Sequence, residues 1–167
     1  MLFRSDFRAA ERTFQLLTQV SGRAGRGSVP GEVILQTFEP EHYAVRAAAE
    51  HDYRRFYDEE IQSREELLYP PFSSLARFVT ADSQEEAARG KIDQVYELLA
   101  APAAAAGIEL LGPTAAPLSR LKGKYRWHLL LKSGEDGSLQ LLLSEALPRL
   151  RRALTGWTLD VDPLSLM

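Results

Sequence analysis

Apolar residues recur along the chain with two different periods, and the change of period divides it. Phe7, Ala10, Phe14 and Leu17 fall three and four residues apart, which predicts one buried face of a helix, and Asp6 stands where it can cap that helix. After the Gly-rich stretch ending at Gly31, the run 32–38 (EVILQTF) is apolar on both alternating faces. That pattern predicts a strand covered on both sides, which needs a larger sheet than the first 38 residues contain. Pro40 opens a helical region, broken near Asp52, with Tyr53, Phe56, Tyr57, Ile61 and Leu68 on its inner side. The pair Pro70-Pro71 removes two amide donors and sets a boundary there.

Beyond the prolines the reading is strand 75–80, then a helix opened by a capping box at Ser83-Gln84-Glu85-Glu86 and striped by Ala88, Ile92, Val95 and Leu99. A short strand 108–111 ends at Gly112-Pro113, and 100–106 reads as a small-residue linker or frayed helix end. Tyr125, Trp127, Leu129 and Leu131 alternate with Arg126, His128, Leu130 and Lys132, as in a strand with one face on a core. A helix from Ser138 to Leu154, kinked near Pro148, and a strand carrying Trp157, Leu159 and Val161 complete the order β-α-β-β-α-β. The fold class is therefore α+β, with a ferredoxin-like arrangement after the boundary.

Composition limits the chemistry. With 167 residues and 45% hydrophobic positions the chain can bury a core, so wholesale disorder is excluded. No run of about 18 apolar residues exists, so no membrane span is expected, and the absence of a secretory signal suggests the cytosol. The absence of cysteine removes disulfides, thiolate metal sites and thiol nucleophiles. His42, His51 and His128 are too scattered for a metal site and read as surface or helix residues. The net charge of −3 hides an asymmetry: from Leu110 to Gly134 there is no acid, while Arg120, Lys122, Lys124, Arg126 and Lys132 lie there. If 117–126 is extended, the alternate residues Arg120, Lys122, Lys124 and Arg126 project to one side as a phosphate-tracking row, joined by Arg77 or His128 if these reach the same surface. A solvated loop is the plainer alternative. Tyr125 and Trp127 then face the core, which reads them as packing rather than base-stacking residues, and Asp160 and Asp162 share the polar face of the last strand, either as solvated residues or as partners of the basic segment.

The first helix ends in QVSGRAGRG. If helical throughout, it places Gln19, Arg23 and Arg26 at i, i+4 and i+7, on the face opposite the apolar stripe at about 100° per residue. Gly22 and Gly25 between them would admit a close backbone or ligand. Two guanidinium forks on one face suit a polyanion; the alternative is a glycine-terminated helix whose arginines only complement its C-terminal dipole.

The string QVSGRAGR resembles QxxGRxGR, motif VI of superfamily 2 helicases. Together with PGEVILQTFEPEH, LLYPPFS, LLGPTAAPLSRLKGKYRWHLLLK and WTLDVDP, it resembles the C-terminal end of the primosomal protein N-prime (PriA) family of replication-restart DNA helicases. The resemblance implies that 1–38 is the end of the second RecA-like helicase lobe, 39–71 a helical connector and 72–167 a DNA-binding domain similar in fold to ribosomal protein S10. It implies catalytic roles for Arg26, Arg23 and Gln19 at the γ-phosphate of ATP held with magnesium by another lobe. No phosphate loop, magnesium-binding acidic motif or zinc-binding cysteine region occurs in these residues, so the fragment alone is expected to hydrolyse no ATP. The implied partners are branched and single-stranded DNA, primosome loading proteins and the acidic tail of the single-stranded DNA-binding protein. For that tail Gln140 matches the family's glutamine, but Asp136 stands where the family has arginine. The competing reading is a complete, non-enzymatic S10-like binding module.

Overall fold

The computed structural model describes residues 6–24, 32–134 and 137–166. The chain divides into two compact units, Met1–Leu67 and Leu68–Met167.

In the first unit, helix α1 (Ala9–Ala24) begins where Asp6 accepts the Arg8 amide proton at 3.0 Å and the Arg12 guanidinium at 3.1 Å. Its stripe of Ala10 and Phe14 packs against α2 (Tyr43–Ala49) and α3 (Tyr53–Glu66), and Phe14 stacks on Phe56 with ring centroids 4.4 Å apart. The expected connector thus contributes its helices to the same core as α1. The break falls at His51, whose φ is 54°, and Asp52 caps α3 by accepting the Arg55 amide proton at 2.9 Å. Three of the residues expected on the inner side, Tyr53, Tyr57 and Leu68, are instead exposed. A charge network ties α1 to α3. Glu11 accepts from Arg8 at 2.9 and 2.7 Å and from Arg64 at 2.9 Å, and Arg64 also donates to Glu60 at 2.7 Å. The Arg8 bonds, with Arg64 and against partial burial, hold the Glu11 carboxyl down at about 2.

The doubly buried strand expected at 32–38 is not formed. Among the described residues the segment pairs with no strand, and Ile34 is 87% and Phe38 105% exposed. The physical reason is that the described residues of this unit contain no sheet for it to join.

The second unit runs β1 (Ser74–Asp82), α4 (Glu85–Ala105), β2 (Glu109–Leu121), β3 (Lys124–Ser133), α5 (Ser138–Ala153) and β4 (Trp157–Val161). The strands form one antiparallel sheet in the order β2-β3-β1-β4. Phe78, Leu129 and Leu131 on one face meet Ile92, Val95 and Leu99 of α4 and Leu139 and Leu143 of α5. That is the face the alternation at 125–131 predicts.

Local readings are corrected in three places. Helix α4 starts at Glu85, because Asp82 rather than Ser83 receives the turn: it accepts the Gln84 amide proton at 3.2 Å and Lys91 Nζ at 2.7 Å. Residues 100–105 belong to the body of α4, with Ala103 fully buried. Finally, β2 does not stop at Gly112-Pro113. A register shift between Leu111 and Thr114 takes up the pair on an edge strand, where a missing proline donor is tolerated, and the strand continues to Leu121 through Pro117.

Gly112 is required at that shift: its φ is 110°, and an added Cβ would lie 3.0 Å from the His128 carbonyl oxygen. Gly112→Ala should destabilise the second unit by about 1–3 kcal/mol, read as a lower urea midpoint of Trp127 and Trp157 fluorescence. Gly90→Ala, in open space within α4, should raise the midpoint slightly. Equal midpoints for the two variants would refute the assignment.

Candidate functional site

The acid-free stretch folds as the β2–β3 hairpin. Its two-residue turn is Lys122-Gly123, with φ of 50° and 79°, the doubly left-handed geometry that matches strand twist. Leu121 pairs with Lys124 and Arg120 with Tyr125.

This pairing corrects the expected one-sided row. Cross-strand partners share a face, so Arg120 lies on the Tyr125 face, and Lys124 and Arg126 lie on the other. Arg120 sits over the Tyr125 ring, 5.0 Å from its centroid. Reversal of the chain at Lys122 ends the simple alternation by sequence number. The hairpin still gathers the four cations at one end of the sheet: Arg120, Lys122 and Lys124 are exposed and Arg126 is half-buried. Among the described residues none of the four forms an ion pair, whereas Lys132 is held by Glu109 at 3.0 Å.

Arg77 and His128 do not join this surface. They are 3% and 6% exposed, on the sheet face away from α4 and α5, where Arg77 Nη1 lies 3.4 Å from the Ser165 carbonyl oxygen. Burial, reinforced by the Arg77 and Arg126 charges, lowers the His128 imidazole to about 4. It is therefore a neutral interior residue rather than a surface one. Asp160 is in register with Arg77, while Asp162 lies beyond β4 and donates its amide proton to Leu75.

On α1, Gln19 and Arg23 are exposed on the helix face opposite Phe14, as the spacing predicts. Among the described residues no atom within 4 Å would meet a Cβ on Gly22, so none of them occupies the gap there. Arg26 and Gly25 lie outside the described residues, as does Asp136. Gln140 is exposed in the first turn of α5. Among the described residues no group of three or more potential ligands could hold a metal ion, and no helix is long and apolar enough to cross a membrane.

The pattern did not disclose two features. Arg120 and Tyr125 form a cation–π pair, for which the only sequence signal was the Lys-Gly turn between them. The first unit also bears a groove of about 280 Å³ lined by Phe14, Tyr53, Phe56, Tyr57, Glu11 and Arg64.

Residues 65–164 match the family model described as the primosomal protein N C-terminal domain. The chain belongs to the primosomal protein N (PriA) family. It is 40% identical to the replication restart protein PriA of Bacillus subtilis, over 97% of this chain and 20% of that protein. The PriA of Synechocystis is 39% identical over 97% of the chain and 19% of its own length, and that of Thermotoga maritima 36% over 99% and 21%. The chain thus spans about a fifth of the length of these PriA relatives.

The neutral His128 makes the second unit of this PriA-family chain sensitive to acid. Its folded-state value of about 4 lies below the unfolded value near 6.5, so the unfolded chain binds more protons between them. Stability should be complete above pH 6.5 and fall as the pH drops towards 4. His128→Leu should flatten that limb of a urea-midpoint profile; an unchanged profile would refute the assignment.

Proposed function

We propose that this chain is the DNA-binding C-terminal part of an ATP-dependent replication-restart helicase, and that it binds DNA through the β2–β3 hairpin without catalysis of its own. The observation that carries the reading is the set of four cations gathered at the turn end of one hairpin, within the acid-free stretch 110–134, in a chain of net charge −3. Phosphate neutralisation by such a set gives affinity without sequence readout. The strand order and the β-α-β-β-α-β connectivity support a ferredoxin-like, S10-like reading of the second unit. The family's naming for replication restart supports branched DNA as the target and primosome loading proteins as partners.

For the first unit we propose the end of a helicase lobe, with 32–38 pairing into a sheet of the longer protein. The open polar face of α1 suits a phosphate group: Gln19 and Arg23 point away from their own core, and Arg26 follows them in the sequence. On this reading Arg26 stabilises charge developing on the γ-phosphate of ATP and magnesium bound elsewhere in the longer protein, an effect on the order of a thousandfold or more in rate. Zinc, if the longer protein holds it, takes no ligands from this cysteine-free segment. Gln140 is the candidate contact for the tail of the single-stranded DNA-binding protein, and Asp136 opposes it, because a carboxylate repels an acidic tail.

Changing Arg120, Lys122 and Lys124 together to Glu should abolish binding of a forked DNA near physiological salt and lower the log-log salt slope by roughly 3. Unchanged affinity and slope would refute the hairpin. In the full-length protein carrying this sequence, Arg26→Ala should leave DNA binding intact and remove DNA-stimulated ATP hydrolysis. Undiminished hydrolysis would return Arg26 to a helix-end role.

A further inference from the structure

The face of the hairpin that carries Arg120 differs chemically from the one that carries Lys124. Lysine at the turn and on β3 offers a mobile point charge suited to a phosphate. Arg120 is instead laid over a ring, 5.0 Å from the Tyr125 centroid, by its cross-strand pairing. Tyr125 is half-buried and Arg120 exposed, so the ring backs the guanidinium and leaves the cation open to solvent. A planar cation with one face covered by an aromatic ring and the other open is a stacking platform for a third flat group.

The surroundings select which flat group that is. Leu118, two residues before Arg120 on β2, stands 46% exposed, giving an apolar margin that phosphate tracking does not need. Asp82, the β1 residue opposite Tyr125, is bound by Lys91 at 2.7 Å, and its charge is thereby offset. A base in a duplex has both faces covered by its neighbours, whereas an unpaired base presents a free one.

We infer that Arg120 stacked on Tyr125 binds one unpaired nucleobase of single-stranded DNA, while Lys122, Lys124 and Arg126 hold the adjoining phosphates. This rests on the proposal that the hairpin binds DNA and adds to it a base-stacking site on the opposite face. The two faces then divide the work: charge gives affinity for any DNA, and the stack gives preference for a strand with exposed bases.

Anisotropy titrations of the 167-residue chain test this with two fluorescein-labelled oligonucleotides of about a dozen nucleotides: oligothymidine, and the same backbone carrying abasic sites. The wild-type chain should bind oligothymidine about tenfold more tightly than the abasic strand at the same salt. Arg120→Lys, which keeps the charge and loses the plane, should bind the two strands equally with an unchanged salt slope. Tyr125→Leu should behave likewise, and Tyr125→Phe should retain the preference. Lys124→Gln should weaken both strands to the same extent. Equal wild-type affinity for both strands, with a normal salt slope, would overturn the stacking site and leave the phosphate-binding hairpin standing. Binding of neither strand at low salt would overturn both, and so would separate the failure of the hairpin from that of the stack.

Discussion

The nine-residue antiparallel register between β1 and β3 is the constraint on which the second unit depends. It fixes Phe78 beside Leu129 on the helix-covered face and, by the same parity, Arg77 and His128 on the other. Hydrogen bonding on both edges of β1 leaves this register no freedom to slip, because a shift of one residue would drive Arg77 into the apolar core. The hairpin inherits its orientation from the same source. Once β3 is fixed, the pairing of β2 decides which basic side chain meets an aromatic ring and which meets solvent.

The parts of this architecture that depend on local periodicity were legible in the sequence. The alternation of Tyr125, Trp127, Leu129 and Leu131 announced a strand with one face on a core, and the stripes on α1 and α4 announced helices. What depends on pairing was hidden. Lys122 gives no strong signal of a left-handed turn, since Asn or Asp is the usual residue before glycine there. Without that turn, Arg120 and Lys124 read as neighbours on one side. The burial of His128 was likewise invisible, because alternation separates two faces without saying what covers the second. At 32–38 the failure had the opposite form: the residues describe a strand for a double-sided environment, and the described chain supplies no such environment. As for the site, the cluster of cations was legible as a charge asymmetry, and the Arg120–Tyr125 pair was not, because a cross-strand contact has no sequence period.

In the first unit the apolar contact and the polar face of α1 are set by one geometry. Stacking of Phe14 on Phe56 fixes the rotation of the helix about its axis, and Gln19 and Arg23 then face outward. The Glu11–Arg64–Glu60 network holds α3 along the same side. Its charges alternate in sign, so each group offsets the desolvation of the next. The backbone that carries this polar face is thereby fixed by packing on its other side.

Pro113 and Pro117 in β2 have a further consequence. They occupy the outermost strand on the hairpin side of the sheet, and each lacks the amide proton that an added strand would need. The sheet therefore resists extension along this border, and an incoming extended peptide finds an interrupted ladder there. The chain thus keeps a long hairpin at the border of its sheet without inviting edge-to-edge association between its own copies.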